Sequence, residues 1–427
     1  MSQGSLEVPV DALRRGLYVV ALDRPWTDTP FIFQGFRIGS EKELATLRKF
    51  CERVTVDVER SEGSAVARLR THLAGAREAA QAPTARDRAR AFGDSPFPRR
   101  QRFREMVRVA HEARSHARNA VDAALHDTRL GHAVYLPSLR DAVGKMTRSV
   151  VGNASAALWL TTLKDRSEYT AIHCLNVCIL SLAFGRHLEL EESELRTIGL
   201  GALLHDVGKA RTPLEILEKP GALTKEEFEI VKRHPEDGYR MISKARHVPK
   251  TALDIIRLHH ERMRGGGYPL GVRGRQIPRP VRIVAIADAY DAMTSDRSYQ
   301  DARSPDTALR ILYEERAERF DEGLVEQFIR CIGIYPVGSL VELDTGVLGV
   351  VVATNPNAQL QPTLLLLRTP DGKPFEKRLL VNLAASTGGA GEKFGHRIVR
   401  GLDPASAGIN PAEIAGAEFG LRKVPTA

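Results

Sequence analysis

GLGALLHDVGK, residues Gly199–Lys209, sets the problem that the rest of the chain has to solve. A run of small and aliphatic residues leads without a break into an ionisable pair, His205-Asp206. A segment this apolar is buried, and burying a histidine and a carboxylate without partners is expensive. Working outward, similar groups recur in similar settings. His173 lies in SEYTAIHCLNV, His234 in VKRHPEDG, His259-His260 in IIRLHHERMRGGGYP and Asp288 in RIVAIADAYDAMTSDR. Any one of them alone reads as an ordinary hydrogen-bonded core or surface residue. Together, these imidazoles and carboxylates are enough to hold two metal ions that share one bridging ligand. The donor types suit Fe, Mn, Zn, Co or Ni, and they lack the soft thiolates of a structural zinc site.

The surroundings are helical. Apolar residues recur at helical spacing from about 103 to 160 and through 167–187, 191–206, 224–243, 249–262, 280–294, 304–315 and 321–332. Long helices joined by short loops point to an all-α bundle rather than a doubly wound sheet. No glycine-rich loop follows a strand, which argues against a nucleoside-triphosphate enzyme. Strand-like runs flank the bundle: Leu17–Leu22 and Val54–Val58 before it, and 340–343, 346–352, 363–367 and 377–382 after it. Ser40-Glu41, followed by Leu44 and Leu47, predicts a capped helix in the first segment. The fold class expected is therefore mainly α, a helical metal-binding bundle with a small N-terminal α/β unit and a small C-terminal β-rich appendix. The expected boundaries are 1–66 for the N-terminal unit, 67–104 for a linker, 105–164 for linker helices, 165–335 for the main helical bundle, 336–395 for the appendix and 396–427 for a loosely ordered tail.

Composition bounds the function classes. The chain has 427 residues, 43% of them hydrophobic, and a net charge of +9. No stretch approaches the roughly 20 apolar residues of a membrane helix, and the first residues lack the apolar core of a secretion signal. A cytoplasmic location is expected. Between Arg68 and Arg104 ten arginines outnumber three acids and large aliphatics are sparse, so the segment reads as a linker. The charge fits either ordinary solubility or attraction of a polyanionic ligand such as a small phosphodiester. No zinc finger, arginine-glycine repeat or helix-turn-helix pattern supports a nucleic-acid partner. Cys174 and Cys178 sit four apart in an apolar run and read as buried free thiols.

The ordered series from His173 through HDVGK, HP-x-x-G, HHE and GYP to AD-x-x-DAM-x-x-DR resembles the HD-GYP domain, a subgroup of the HD phosphohydrolase superfamily. Residues 6–60, with PFIFQGF and VTVDVER, resemble the accessory domain often attached upstream. The resemblance implies a bacterial cyclic di-GMP phosphodiesterase with two divalent cations, Fe or Mn favoured over Zn, Co or Ni. His173, His205, Asp206 and Asp288 would hold one metal, Asp206 would bridge, and His234, His259 and His260 would complete the other. A hydroxide generated between the cations would attack phosphorus in line with the departing ribose oxygen, giving pGpG and, by a second cleavage, GMP.

Further residues follow with alternatives open. Lys209 would meet a phosphate or the leaving oxygen, or else face solvent. Asp291 would orient a ligand histidine or the attacking water, or be a solvent-facing helical acid. Arg297 would clamp phosphate with its guanidinium fork, or else be a surface residue past a helix end. The loop containing Gly267 would lie beside the substrate, with Tyr268 touching a guanine or a phosphate, or merely packing in the loop. Three positions depart from the family pattern. Tyr169 stands where some relatives have a carboxylate for a third metal, and Glu168 points elsewhere, which favours a dinuclear centre. Arg264 replaces an acid or Asn before the loop glycines, and Gln300 replaces a cation after Arg297-Ser298-Tyr299. Arg264 is a candidate replacement for that phosphate contact. A signalling adaptor that binds cyclic di-GMP and docks protein partners, a homodimer, and an enzyme for another cyclic dinucleotide or a phosphomonoester stay open.

Overall fold

The computed structural model describes residues 5–23, 29, 31, 35–66, 69, 98–163, 169–295, 302–355, 358–375, 378–385, 396–403 and 407–419. The chain divides into two compact units, residues 1–93 with 357–360 and residues 94–356 with 361–427.

In the smaller unit, strands β1 (Ser5–Pro9), β2 (Tyr18–Leu22), β3 (Phe36–Arg37) and β4 (Arg53–Asp57) form one antiparallel sheet in the order β1-β4-β2-β3. Val54 and Val56 alternate inward from β4, as period-two patterning requires. Helix α1 (Glu41–Phe50) turns Leu44 and Leu47 into the same core. Ser40 starts it with a reciprocal cap: its hydroxyl accepts from Glu43 N, and the Glu43 carboxylate accepts from Ser40 N.

The larger unit begins with α2 (Pro98–Arg129), α3 (Leu136–Gly152) and α4 (Ala154–Leu160). Helix α2 starts inside the stretch that reads as linker, and Pro98 suits a first helical turn, where its missing N–H costs nothing. Then come α5 (Tyr169–His187), α6 (Glu192–Leu204), a 3-10 turn (Val207–Arg211), α7 (Leu214–Leu217), α8 (Lys225–Val231), α9 (His234–Ile242), α10 (Lys250–Leu258), α11 (Arg279–Thr294), α12 (Pro305–Glu314) and α13 (Glu322–Ile332). Helix α5 is apolar nearly all round and runs through the middle of the bundle, against α2, α6 and α11. Cys174 and Cys178 are buried on it as free thiols.

After α13, strands β5 (Leu340–Leu343), β6 (Leu348–Ala353), β7 (Thr363–Arg368), β8 (Leu380–Asn382) and β9 (Ile398–Leu402) form an antiparallel sheet ordered β8-β7-β6-β5-β9. The structure differs here from the expected loose tail after residue 396. Strand β9 pairs with β5, and Pro411–Phe419 forms α14. What orders this Ala- and Gly-rich stretch is distant in sequence: Phe419 meets Phe103 and Trp159 edge-on, with ring centroids 5.4 and 5.7 Å apart. Among the described residues no helix is long and apolar enough to cross a membrane.

One close approach fixes the middle of the bundle. The 3-10 turn packs so tightly on α9 that a Cβ on Gly208 would overlap the His234 carbonyl oxygen and come within 2.7 Å of Gly238 N. Both obstacles are backbone and cannot rotate away. Gly208→Ala should therefore lower stability by roughly 2 kcal/mol or more in urea unfolding, the range of an overpacked core. Gly152→Ala, where a Cβ meets nothing within 4 Å, should change it by less than about 0.5 kcal/mol.

Candidate metal centre

Helix termini build the centre. His205 caps the end of α6, Asp206 opens the 3-10 turn, His234 is the first residue of α9, and His259 caps the end of α10 with His260 next to it. His173 and Asp288 project from within α5 and α11. The last carbonyls of a helix have no partner inside it, and three histidines use such groups. His205 Nδ1 donates to Ala202 O at 2.8 Å, His234 Nδ1 to Val231 O at 2.7 Å, and His259 Nδ1 to Ile256 O at 3.0 Å. A carbonyl only accepts, so each Nδ1 carries a proton and each ring turns Nε2 inward, the nitrogen whose lone pair a metal would take.

Those lone pairs converge on a carboxylate. Asp206 Oδ1 lies 3.2 Å from His234 Nε2 and 4.0 Å from His259 Nε2. Its other oxygen, Oδ2, lies 3.4 Å from His205 Nε2 and 3.7 Å from His173 Nε2. Asp288 Oδ1 is 3.0 Å from His173 Nε2 and 3.8 Å from His205 Nε2, while its Oδ2 is 4.0 Å from His260 Nδ1. His234 Nε2 and His259 Nε2 face each other at 3.3 Å. Acceptors gathered this closely repel unless cations lie among them. His205 Nε2 and Asp206 Oδ1 are buried with no hydrogen-bond partner among the described residues, which is costly for groups held in place by the fold. The donor set fits two metal ions: Asp206, His234, His259 and His260 converge as one group, and His173, His205 and Asp206 as another, with Asp288 bordering the second.

Burial would lower His205, but Asp206 beside it holds the ring well above its usual value, a proton that a bound cation would replace. Burial pushes His259 down to about 3, helped by repulsion from His205 and His234. Burial and the neighbouring imidazoles push His260 well below its usual value. Both rings are thus neutral and able to ligate. Burial would raise Asp206, but Lys209 and His205 hold it well below the usual carboxylate range. Burial opposes ionisation of Asp288 too, and its hydrogen bond to His173 with the nearby His205 outweighs it.

Around this set, Asp291 Oδ2 holds His173 Nδ1 at 2.7 Å, while Asp291 Oδ1 accepts from Asn176 Nδ2 at 3.0 Å. Asp291 is buried, so the solvent-facing alternative is set aside. Lys209 Nζ donates to Asp206 Oδ2 at 2.6 Å. The GYP loop folds over the two adjacent histidines, and a Cβ on Gly267 would meet Glu261 Cα at 2.5 Å. Tyr268 lies against His260, centroids 4.7 Å apart, and burial pushes its phenol up so that it stays neutral. Arg264 pairs with Glu318 at 3.2 Å and donates to Ala317 O, and among the described residues none of its contacts is with a metal-site residue. Arg297, Gln300, Glu168 and the Tyr169 side chain lie outside what is described. The sequence reading did not assign Glu261, whose buried carboxylate accepts from Leu270 N and Gly271 N at 2.7 and 2.9 Å and anchors the loop. Its position directly after two histidines, at the end of an apolar helix, was the available signal. Asn176 was missed also; a lone amide within an apolar helical run carries the same message of a buried polar contact.

Family models match three stretches of the chain: an HD domain over residues 153–324, a domain of unknown function (DUF3391) over 5–137, and a KOW domain associated with HD domain over 340–388. A cyclic di-GMP phosphodiesterase of Pseudomonas aeruginosa is 36% identical over 401 residues, 94% of this chain and 92% of that protein. A cyclic di-GMP phosphodiesterase response regulator of Xanthomonas campestris is 45% identical over 34% of this chain and 38% of its own length. A 3'3'-cGAMP-specific phosphodiesterase of Vibrio cholerae is 36% identical over 38% of this chain and 32% of its own length. The near full-length match to the first of these, together with the helical core and its His/Asp cluster, places the chain in the HD-GYP family of the HD phosphohydrolase superfamily.

Proposed function

We propose that this protein is a metal-dependent phosphodiesterase that opens the ring of cyclic di-GMP to linear pGpG, with GMP as the product of a second cleavage. The observation that carries the reading is Asp206: its two oxygens face two different groups of inward-turned imidazole lone pairs, in a pocket of unsatisfied acceptors. The similarity to the Pseudomonas cyclic di-GMP phosphodiesterase along nearly the whole chain supports the substrate.

His173, His205, Asp206 and Asp288 would hold one ion, and Asp206, His234, His259 and His260 the other; the donor types suit Fe, Mn, Zn, Co or Ni, and the family resemblance favours Mn or Fe. Bound there, two divalent cations supply a water of lowered pKa and offset the charge that builds on phosphate. The chain's own groups do the rest. Asp206 and Asp288 stay ionised and fix the positions of the two charges. Lys209 stands 2.6 Å from the shared carboxylate, where its ammonium can meet a phosphate oxygen or the departing ribose oxygen. Asp291 fixes the ring of His173. Tyr268, neutral and stacked near His260, offers a hydroxyl donor and an aromatic face at the edge of the centre. Gly267 and its neighbours let that loop approach the substrate. Arg297 would clamp a phosphate, and Arg264, if released from Glu318, would add a second cation. The similarity to the cGAMP-specific enzyme supports a second reading, hydrolysis of another cyclic dinucleotide by the same centre.

Anaerobically purified protein reconstituted with Mn or Fe should convert cyclic di-GMP to pGpG, and a His205→Ala, Asp206→Ala double substitution should drop product formation to background in a chromatographic assay. Faster turnover of 3'3'-cGAMP than of cyclic di-GMP would establish the second reading; turnover of neither, with two metals bound, would sink both. Metal removal has a separate signature. Free Mn at 100 times its dissociation constant should stabilise the fold by about 2.7 kcal/mol per site, so a chelator should lower the melting temperature by several degrees. Asp206→Asn, with one oxygen replaced by a donor, should lose most of that difference.

A further inference from the structure

Arg114 lies on α2, within the stretch matched by the domain-of-unknown-function model and outside the stretch matched by the HD-domain model. It is nonetheless turned into the helical core. Its Nη2 lies 3.3 Å from Leu163 O and 3.5 Å from Asn176 Oδ1. Its Nε is buried with no hydrogen-bond partner among the described residues. A guanidinium in this setting is costly, and burial followed by repulsion from Arg118 pushes it down to about 10 even though the Asp291 charge acts the other way. A surface helix with long exposed stretches could present arginine to water at no such cost, so this burial needs a reason.

The reason lies two contacts further in. The Asn176 amide has a donor end and an acceptor end, and their assignment depends on the groups around them. Arg114 can only donate. By standing at Asn176 Oδ1 it fixes the amide with Nδ2 toward Asp291, where the 3.0 Å hydrogen bond to Oδ1 is made. That leaves Asp291 Oδ2 for His173 Nδ1 at 2.7 Å, with Ser295 Oγ also donating to it at 3.3 Å. A carboxylate at Nδ1 fixes the ring's tautomer and aims Nε2 at the centre. Arg114 is also a cationic group near this buried carboxylate.

We infer that Arg114 is a positioning residue for the metal centre: through Asn176 and Asp291 it sets the orientation of His173, and so ties one of the two metal positions to helix α2. This rests on His173 being a metal ligand. Removing Arg114 weakens the position built by His173, His205 and Asp288 and spares the one built by His234, His259 and His260. Metal ligands that lose an outer partner of this kind lose about 10- to 100-fold in affinity.

The test is Mn binding to the full chain, followed by electron paramagnetic resonance and chelator competition, in wild type, Arg114→Met and Arg114→Lys. The expected result is two ions per wild-type chain. Arg114→Met should keep one at wild-type affinity, with the other about 10- to 100-fold weaker, and turnover should recover as Mn is raised. Arg114→Lys keeps the charge but has a single-point ammonium, and should lie between the two. Two ions at unchanged affinity in a folded Arg114→Met would overturn the inference alone. A wild-type chain that binds no Mn or Fe would overturn the metal-centre reading and the inference with it. Should Arg114→Met fail to fold, Asn176→Leu with Arg114 in place carries the same readout: loss at one position supports the relay, and two unchanged sites overturn it.

Discussion

A buried carboxylate faced on both sides by nitrogen lone pairs is the constraint on which the rest of the bundle depends. Helix-end carbonyls take the Nδ1 protons of His205, His234 and His259, so only Nε2 of each ring is left to serve the centre. Repulsion at the centre is then relieved by positive charge, a metal ion or a second proton on an imidazole. Lys209 offers one such charge at Asp206 Oδ2, and nothing equivalent meets Oδ1 among the described residues. This requirement explains the layout. The ends of α6, α8 and α10 must converge on one point, and the 3-10 turn must approach α9 more closely than any residue but glycine allows at 208. Glu261 must then pin the glycine loop over the result.

The same surroundings decide which atoms do not compete for metal. Cys174 and Cys178 lie on the helix that carries His173, yet burial and its neighbour push the Cys178 thiol up. Burial likewise pushes Cys331 up to about 12. A thiol kept protonated is a poor ligand, and Cys178 and Cys331 turn to the Gly199 and Ala183 carbonyls rather than to the centre.

The bundle was legible because its signals are local. GLGALL running into His205-Asp206, and TALDIIRL running into His259-His260, each place costly groups at the end of a buried helix, and one chain segment is enough to see it. The strand runs after Tyr335 were legible for the same reason: β-branched and leucine-rich stretches between turn residues coincide with β5, β6, β7 and β8. Strand β9 and α14 were not, since IVRGL and PAEIAGAEF are weak by themselves and gain order from β5, Phe103 and Trp159. Arg114 was equally hidden. Within an Arg-rich amphipathic helix nothing marks which arginine faces the core, because that depends on how α2 rests on α5. The strand order β1-β4-β2-β3 in the smaller unit is a tertiary choice of the same kind.

The aromatic contact between α14 and the first helices of the larger unit bears on the order in which the chain becomes structured during synthesis. Every metal-site residue, from His173 to Asp291, leaves the ribosome before residue 300, while Phe419 follows more than a hundred residues later. Phe103 and Trp159 therefore wait, without one of their ring partners, through the whole emergence of the bundle and the second sheet. The helical centre can assemble early, and the seam between α2 and α4 closes last. A nascent chain halted near residue 400 would carry a finished centre and an unfinished hydrophobic seam, the kind of surface that holding chaperones bind.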